Sequence, residues 1–232
     1  KAFECFEYLR DMAMPDEVTF IGSEAFSFCK NLGMINLPDC LETIPNGLFN
    51  HCWSLEYVGL PSRLKTIEEY SFSDCGALAD ITFPKGLESI GGHAFENCSS
   101  LERIILPESL KSIGNYSFSR CASLLTVRIK GHLEEIGEGA FKGCDRLQPF
   151  EIPSSLKKAG EKAFAHCPQI CSEMITFPEQ AETGEKMFEG SGYMTSVLKY
   201  LESLESRKEN VDEGLSEVIV PVEETAVPQG YS

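Results

Sequence analysis

Apolar residues recur along this chain every 23 residues, a period too long for a helix face or a strand face and in the range of stacked structural repeats. Phenylalanine stands at Phe3, Phe26, Phe49, Phe72, Phe95, Phe118, Phe141 and Phe164 without slippage. Cysteine keeps the same step at Cys29, Cys52, Cys75, Cys98, Cys121, Cys144 and Cys167. A leucine column runs Leu9, Leu32, Leu55, Leu78, Leu101, Leu124 and Leu147, closing at Ile170. A second aliphatic column, Ile21, Ile44, Ile67, Ile90, Ile113 and Ile136, ends in Ala159. Proline follows at Pro15, Pro38, Pro61, Pro84, Pro107 and Pro153, with Lys130 in the one vacant slot.

Each unit reads as three short pieces. In Leu101-Glu-Arg-Ile-Ile-Leu-Pro107, the residues Leu101, Ile104 and Leu106 point inward, the last two alternating as in a half-buried strand. Proline stops that strand because it has no N–H to donate. Next, Leu110 and Ile113 stand three apart before Gly114, which permits a turn. Finally, Phe95 and Cys98 stand three apart, a spacing that predicts a short helical turn facing inward. No unit could bury these side chains alone. Stacked units bury them as continuous columns, with strands pairing in parallel about 4.8 Å apart. The expected architecture is an α/β repeat solenoid: a curved right-handed coil with parallel strands on its concave face.

The unit L-x-x-I-x-[LF]-P-x-x-L-x-x-I-G-x-x-[AS]-F-x-x-C-x-x resembles the 23-residue, treponemal-type leucine-rich repeat of bacterial BspA-like proteins. Seven full units and a partial N-terminal one place the solenoid at residues 1–178. The resemblance implies a secreted or cell-surface bacterial protein with adhesive relatives, no enzymatic activity and no cofactor. It carries no residue-level site, because the shared positions are core positions. Local departures are Phe6 in the first cysteine slot, Lys130-Gly131 in place of the sixth proline, and Pro149 beside Phe150. The last of these puts the strand around residues 147–152 in doubt.

A solenoid needs caps, since its end units expose half of their core. The first residues, Ala2-Phe3, fall in mid-repeat with no polar cap. That edge is expected either to continue into a longer array or to meet a partner. After Cys167 the period fails, and residues 179–232 are read as a separate C-terminal region. Tyr193, Val197, Leu201 and Leu204 form an apolar stripe at helical spacing, so a helix at 192–209 is expected to serve as a C-terminal helical cap. Leu215–Val222 could form an edge strand, and 226–232 a loose tail.

Composition changes this picture little. The net charge of −16 disfavours nucleic acid and anionic membrane as partners; it is compatible with a basic, cationic or calcium-bridged partner, and plain solubility is the leading reading of it. No apolar run reaches the ~18 residues of a membrane span, and the N-terminus has no signal-peptide pattern. The cysteine column is better read as buried, reduced thiols than as disulfides, because stacked side chains point the same way. Cys5, Cys40 and Cys171 lie outside it and are the candidates for exposure. His51 and His166 each precede a column cysteine, as a nucleophilic pair would, yet neighbours in sequence point to different sides. His166, Cys167 and Cys171 lack a fourth metal ligand at recognised spacing. No protease, hydrolase, phosphate-loop or calcium-loop pattern is present. Two glycosylation sequons, at Asn97 and Asn115, fall inside the repeat frame.

The residues alternating with the inward columns are free for recognition. The register assigns Asp11, Ala13, Met34, Asn36, Tyr57, Gly59 and Asp80 to the concave face, followed by Thr82, Arg103, Ile105, Thr126, Arg128, Pro149 and Glu151. Tyr57, Arg103, Ile105 and Arg128 are of the amphipathic and arginine types enriched at interface hot spots. The leading reading is a non-catalytic module that binds a protein or glycoprotein. A structural spacer in a larger surface protein comes second, and an enzyme with an unrecognised site third.

Overall fold

The computed structural model describes residues 2–192. Its elements are β1 (Asp11–Ala13), β2 (Met34–Asn36), β3 (Thr43–Ile44), β4 (Tyr57–Gly59), β5 (Thr66–Ile67) and β6 (Ser89–Ile90). They continue as β7 (Arg103–Leu106), β8 (Ser112–Ile113), β9 (Thr126–Ile129), β10 (Glu135–Ile136), β11 (Lys158–Ala159) and β12 (Glu182–Thr183). Every pairing is parallel, between coils one repeat apart.

Two faces of the coil carry strands. The first holds β1-β2-β4 and β7-β9, the long strands expected from the alternating segment. Its ladder is interrupted in the fourth coil, where Asp80 alone bridges to Arg103. It ends before residues 149–152, which form no strand: Pro149 has no N–H to continue the pairing. The second face is a seven-stranded sheet, β12-β11-β10-β8-β6-β5-β3, of two-residue strands. It stacks Ile44, Ile67, Ile90, Ile113, Ile136 and Ala159 in register. The Leu-x-x-Ile segment, read from sequence only as an approach to a turn, is therefore a second ladder. From Gly91 onward glycine follows it, and the coils close to backbone contact there. A Cβ on Gly114 would overlap Gly91 and Gly92, and one on Gly137 would overlap Gly114 and Asn115.

The expected inward helical turn is not a helix, and no helix occurs among the described residues. Left-handed backbone brackets the segment on both sides, at Tyr70 (φ 56°) and Asp74 (φ 60°) in one coil and at His93 and Asn97 in the next. Such φ values cost a non-glycine residue about 1 kcal/mol or more, and most of these positions are not glycine. A third inter-coil ladder offsets that cost: Tyr70, Phe72 and Asp74 donate their N–H groups to the carbonyls of Gly92, Ala94 and Glu96 at 2.8–3.0 Å. All sides of the triangular coil are thus tied to the next coil by backbone hydrogen bonds.

Phenylalanine forms the spine. Rings from Phe3 to Phe164 stack at centroid spacings of 5.0–5.6 Å. Each buried ring contributes roughly 1.5–3 kcal/mol by leaving water. The cysteine column has its own bond. Each thiol donates to the carbonyl oxygen of the phenylalanine one coil back, from Cys29 to Phe3 (3.0 Å) through Cys98 to Phe72 (3.2 Å) to Cys167 to Phe141 (3.1 Å). The seven column thiols are buried, and none of the ten cysteines is bridged.

The coil continues past residue 178. The failure of the period is a single inserted residue, so that Lys158 pairs with Glu182 and Phe188 stacks on Phe164 at 5.8 Å. Apart from Gly192, the expected helix at 192–209, edge strand at 215–222 and tail at 226–232 lie outside the described residues.

Burial raises all seven column thiols above their ordinary value of 9.0, Cys167 to about 12. The folded chain therefore holds protons that the unfolded chain releases near pH 9. This contribution is complete below about pH 9 and is lost as pH rises through the folded values, by up to about 1.4 kcal/mol per pH unit per thiol. Urea midpoints followed by circular dichroism should fall steeply above about pH 9, and less steeply in Cys167→Ala. Among the described residues, one buried hydroxyl, that of Ser117, has no hydrogen-bond partner, and its column neighbours are Ala94 and Ala140. Ser117→Ala should stabilise the fold by about 1 kcal/mol, read as a raised Tm.

Candidate functional site

The strand-lined face presents one row of side chains from each coil. In β2 and β4, Ile35 and Val58 are buried while Met34, Asn36 and Tyr57 are exposed. In β7 and β9, Ile104 and Val127 are buried while Arg103, Ile105, Thr126 and Arg128 are exposed. Asp11, Ala13, Asp80, Thr82, Pro149 and Glu151 are exposed as well, and Gly59 is half-buried. Every residue assigned to this face by register therefore lies on its open side. The register sets Met34 beside Tyr57, each about half exposed, at 50% and 52%. It also sets Arg103 between Asp80 and Thr126, and Ile105 beside Arg128. Gly59 leaves the space that the Asn36 amide occupies.

A cavity of about 620 Å³ opens where the ladder is interrupted. Asp80, Thr82, Arg103 and Ile105 line it from the strands. Lys85, Pro107, Glu108 and Lys130 line it from the loops after them, and Ile81 and Phe83 contribute to the wall. Sequence reasoning missed the loop residues, although the replacement of a column proline by Lys130 was visible. That replacement has a structural effect. With an N–H restored, Lys130 donates to the Leu106 carbonyl at 3.1 Å, consistent with the four-residue length of β7 and β9. Gly131 then passes so close to the backbone of Glu108 that a Cβ would overlap it.

Charges on the flank and on the face are arranged differently. Along the second sheet, one position per coil reads Glu42, Lys65, Glu88, Lys111, Glu134, Lys157. These alternate in sign and pair as Lys65–Glu42 (2.9 Å), Lys111–Glu88 (3.7 Å) and Lys157–Glu134 (2.6 Å). Hydrogen bonds from Lys65 and Lys157 hold the carboxyls of Glu42 and Glu134 below the usual range. Exposed pairs of this kind add little stability, but opposite signs in adjacent coils favour the observed register. Among the described residues, Lys85, Arg103, Arg128 and Lys130 take part in no ion pair within 4.0 Å.

The histidine and cysteine candidates do not assemble into chemistry. The His51 ring stacks on Phe28 at 4.5 Å and lies 3.4 Å from the Asp74 carboxylate, while the Cys52 thiol turns inward to the Phe26 carbonyl. His166 is exposed, whereas the Cys167 thiol is bonded to Phe141 in the core. Among the described residues no group of three or more His, Cys, Asp or Glu side chains gathers as a metal site. His93 is sandwiched between Tyr70 and Tyr116 at 4.7 and 5.2 Å, with Glu96 at 2.7 Å from its ring nitrogen. This outer stack runs along the left-handed positions of three coils.

Parallel strands repeated at one per coil over a leucine, isoleucine and phenylalanine core define a leucine-rich-repeat solenoid. The chain belongs to the BspA-type leucine-rich-repeat family, whose model matches residues 1–125 and 88–211 in six copies. No curated protein matches the sequence. Among solved structures, a leucine-rich-repeat protein of Bacteroides ovatus is 27% identical with a TM-score of 0.50, over 78% of this chain and 58% of that one. A leucine-rich cell surface protein of Faecalibacterium prausnitzii is 28% identical with a TM-score of 0.52, over 82% of this chain and 59% of that one. The T. pallidum leucine-rich-repeat protein shares the fold at 23% identity and a TM-score of 0.56, over 83% of each chain. This chain thus spans under two thirds of the Bacteroides and Faecalibacterium proteins.

The close approach at Gly131 is specific to its place. Gly131→Ala should cost about 2 kcal/mol through displaced backbone, whereas Gly76→Ala, whose Cβ would meet only ordinary contacts, should stay within about 0.5 kcal/mol. Urea denaturation of the two variants checks the contrast.

Proposed function

We propose that this chain is a non-catalytic binding or adhesion module of a secreted or cell-surface bacterial protein, and that it recognises a protein or glycoprotein through its strand-lined face. The observation that carries this reading is the exposed row itself. Core columns occupy the alternate positions, so Met34, Asn36, Tyr57, Asp80, Thr82, Arg103, Ile105, Thr126, Arg128 and Glu151 are not needed for stacking. A half-exposed tyrosine beside a methionine, and arginines on neighbouring strands, are side chains that provide contact area and directed hydrogen bonds. The description of the Faecalibacterium relative as a cell surface protein supports the location. Macromolecular contact also suits a rigid face built from many coils, each contributing a few residues.

Biolayer interferometry of the purified chain against fibronectin, fibrinogen, mucin and bacterial surface glycans tests the proposal. Saturable binding is expected to at least one of them. A folded Tyr57→Ala/Arg103→Glu variant should bind at least about 100-fold more weakly, as two hot-spot losses imply. Binding that the variant retains would move recognition off this face. No binding by the folded native chain would favour a structural spacer.

A further inference from the structure

We propose that the cavity at the interruption of the strand ladder is a subsite for a carboxylate-bearing sugar residue of a glycan. The inference rests on the reading of this face as a recognition surface and names what one part of it takes.

The first argument is the state of the charges. Along the second-sheet flank, lysines pair with carboxylates one repeat away, as in Lys65–Glu42 and Lys157–Glu134. At the cavity, Lys85, Arg103 and Lys130 converge on one space from three different coils, with no ion pair to a carboxylate among the described residues. Asp80 and Glu108 line the same space and likewise pair with none of them. Three cations facing a shared cavity favour an anionic group there, and the guanidinium of Arg103 can grip a carboxylate with two parallel hydrogen bonds. The chain's net charge of −16 does not oppose this at contact range, because free salt screens charges farther than about 8 Å away.

The second argument is the rest of the lining, which separates the ligand classes. Asp80 and Glu108 would repel an acidic peptide segment but accept hydrogen bonds from hydroxyl groups, and Thr82 can both donate and accept. Ile105, 45% exposed, provides an apolar surface against which the C–H face of a sugar ring can lie. A neutral sugar would leave the cations without a partner. A peptide carboxylate would leave the two acids opposed. A carboxylated sugar engages both sets.

The third argument is preorganisation. The rim loops are held before any ligand arrives. The Ser109 hydroxyl lies 2.7 and 2.6 Å from the carbonyl oxygens of Lys85 and Leu87, and the Lys130 N–H is bonded to Leu106. Gly131 fixes the loop bearing Lys130 against the backbone of Glu108. At about 620 Å³ the cavity falls within the size range of small-ligand pockets.

The test is titration calorimetry together with amide chemical shifts. The probes are tetragalacturonate and sialyllactose, their neutral counterparts maltotetraose and lactose, and a hexaglutamate peptide. At least one carboxylated probe should bind about tenfold or more tightly than its neutral counterpart and than the peptide, and binding should weaken with added salt. Which of the two binds distinguishes a uronic from a sialic acid. Shifts should centre on residues 80–85, 103–108 and 128–131. Arg103→Gln and Lys130→Thr should each lower the affinity about tenfold, while Lys111→Gln on the paired flank should leave it unchanged. Equal binding of neutral sugars, equal or tighter binding of hexaglutamate, or no carboxylated probe shifting those amides would overturn the subsite. A folded chain that binds a protein of the interferometry panel but neither carboxylated probe overturns the subsite alone, and one that binds nothing overturns both readings. Binding of a carboxylated probe with the expected shifts supports the subsite whatever the panel shows.

Discussion

Every coil of this solenoid must lie flat on the one before it, and the phenylalanine column sets how closely. Its rings repeat at 5.0–5.6 Å between Phe3 and Phe164, close to the spacing at which parallel backbones exchange hydrogen bonds. Other features follow from meeting both spacings at once. Where the coil turns after the second sheet, the coils from Gly91 onward close to backbone contact, and glycine stands at Gly114, Gly137 and Gly160. Where the chain reverses around each phenylalanine, left-handed residues are accepted because their neighbours gain a third ladder. The cysteine column belongs to the same constraint. A thiol is small enough for the interior, and it gives the phenylalanine carbonyl a second donor besides the N–H of the cysteine in its own coil.

The same geometry divides the surface by function. On the second sheet, residues one repeat apart are close enough to pair, and acid alternates with base from Glu42 to Lys157. A shift by one coil would place like charges together, so this flank supports register. The strand-lined face follows no such alternation. Its arginines stand among Asp80, Thr126 and Ile105, and among the described residues the cations around the cavity form no ion pair within 4.0 Å, although Asp80 and Glu108 share its lining. Two breaks in the repeat produce that cavity's surroundings. The ladder lapses in the fourth coil, and Lys130-Gly131 replaces the proline that would have ended β9. Irregularity inside a regular array is where this fold has room for specificity.

Much of the structure was legible because the period repeats side-chain environments. The alternation in Arg103-Ile-Ile-Leu106 identifies the buried set correctly, and the exposed row follows by parity. Pro149 marks the strand that does not form. Two readings differ. The Phe-to-Cys spacing of three suited a helical turn, but it equally suits a tight reversal between two left-handed residues, and φ leaves little trace in sequence where Glu, Phe, Tyr, Arg and Lys occupy those sites. The Leu-x-x-Ile segment is too short to show alternation, so its ladder was invisible until neighbouring coils were placed beside it.

The sequence by itself determined the repeat, the family, the core columns and the face on which free side chains stand, because those depend on period and parity along one chain. Tertiary structure decided what lies across coils: the thiol-to-carbonyl bonds, the alternating ion pairs, the extra coil beyond residue 178 and the cavity that gathers Lys85, Arg103 and Lys130. Those features depend on distances between residues 18 to 45 positions apart, from Lys85 and Arg103 to Lys85 and Lys130, which are set only when the coils have stacked.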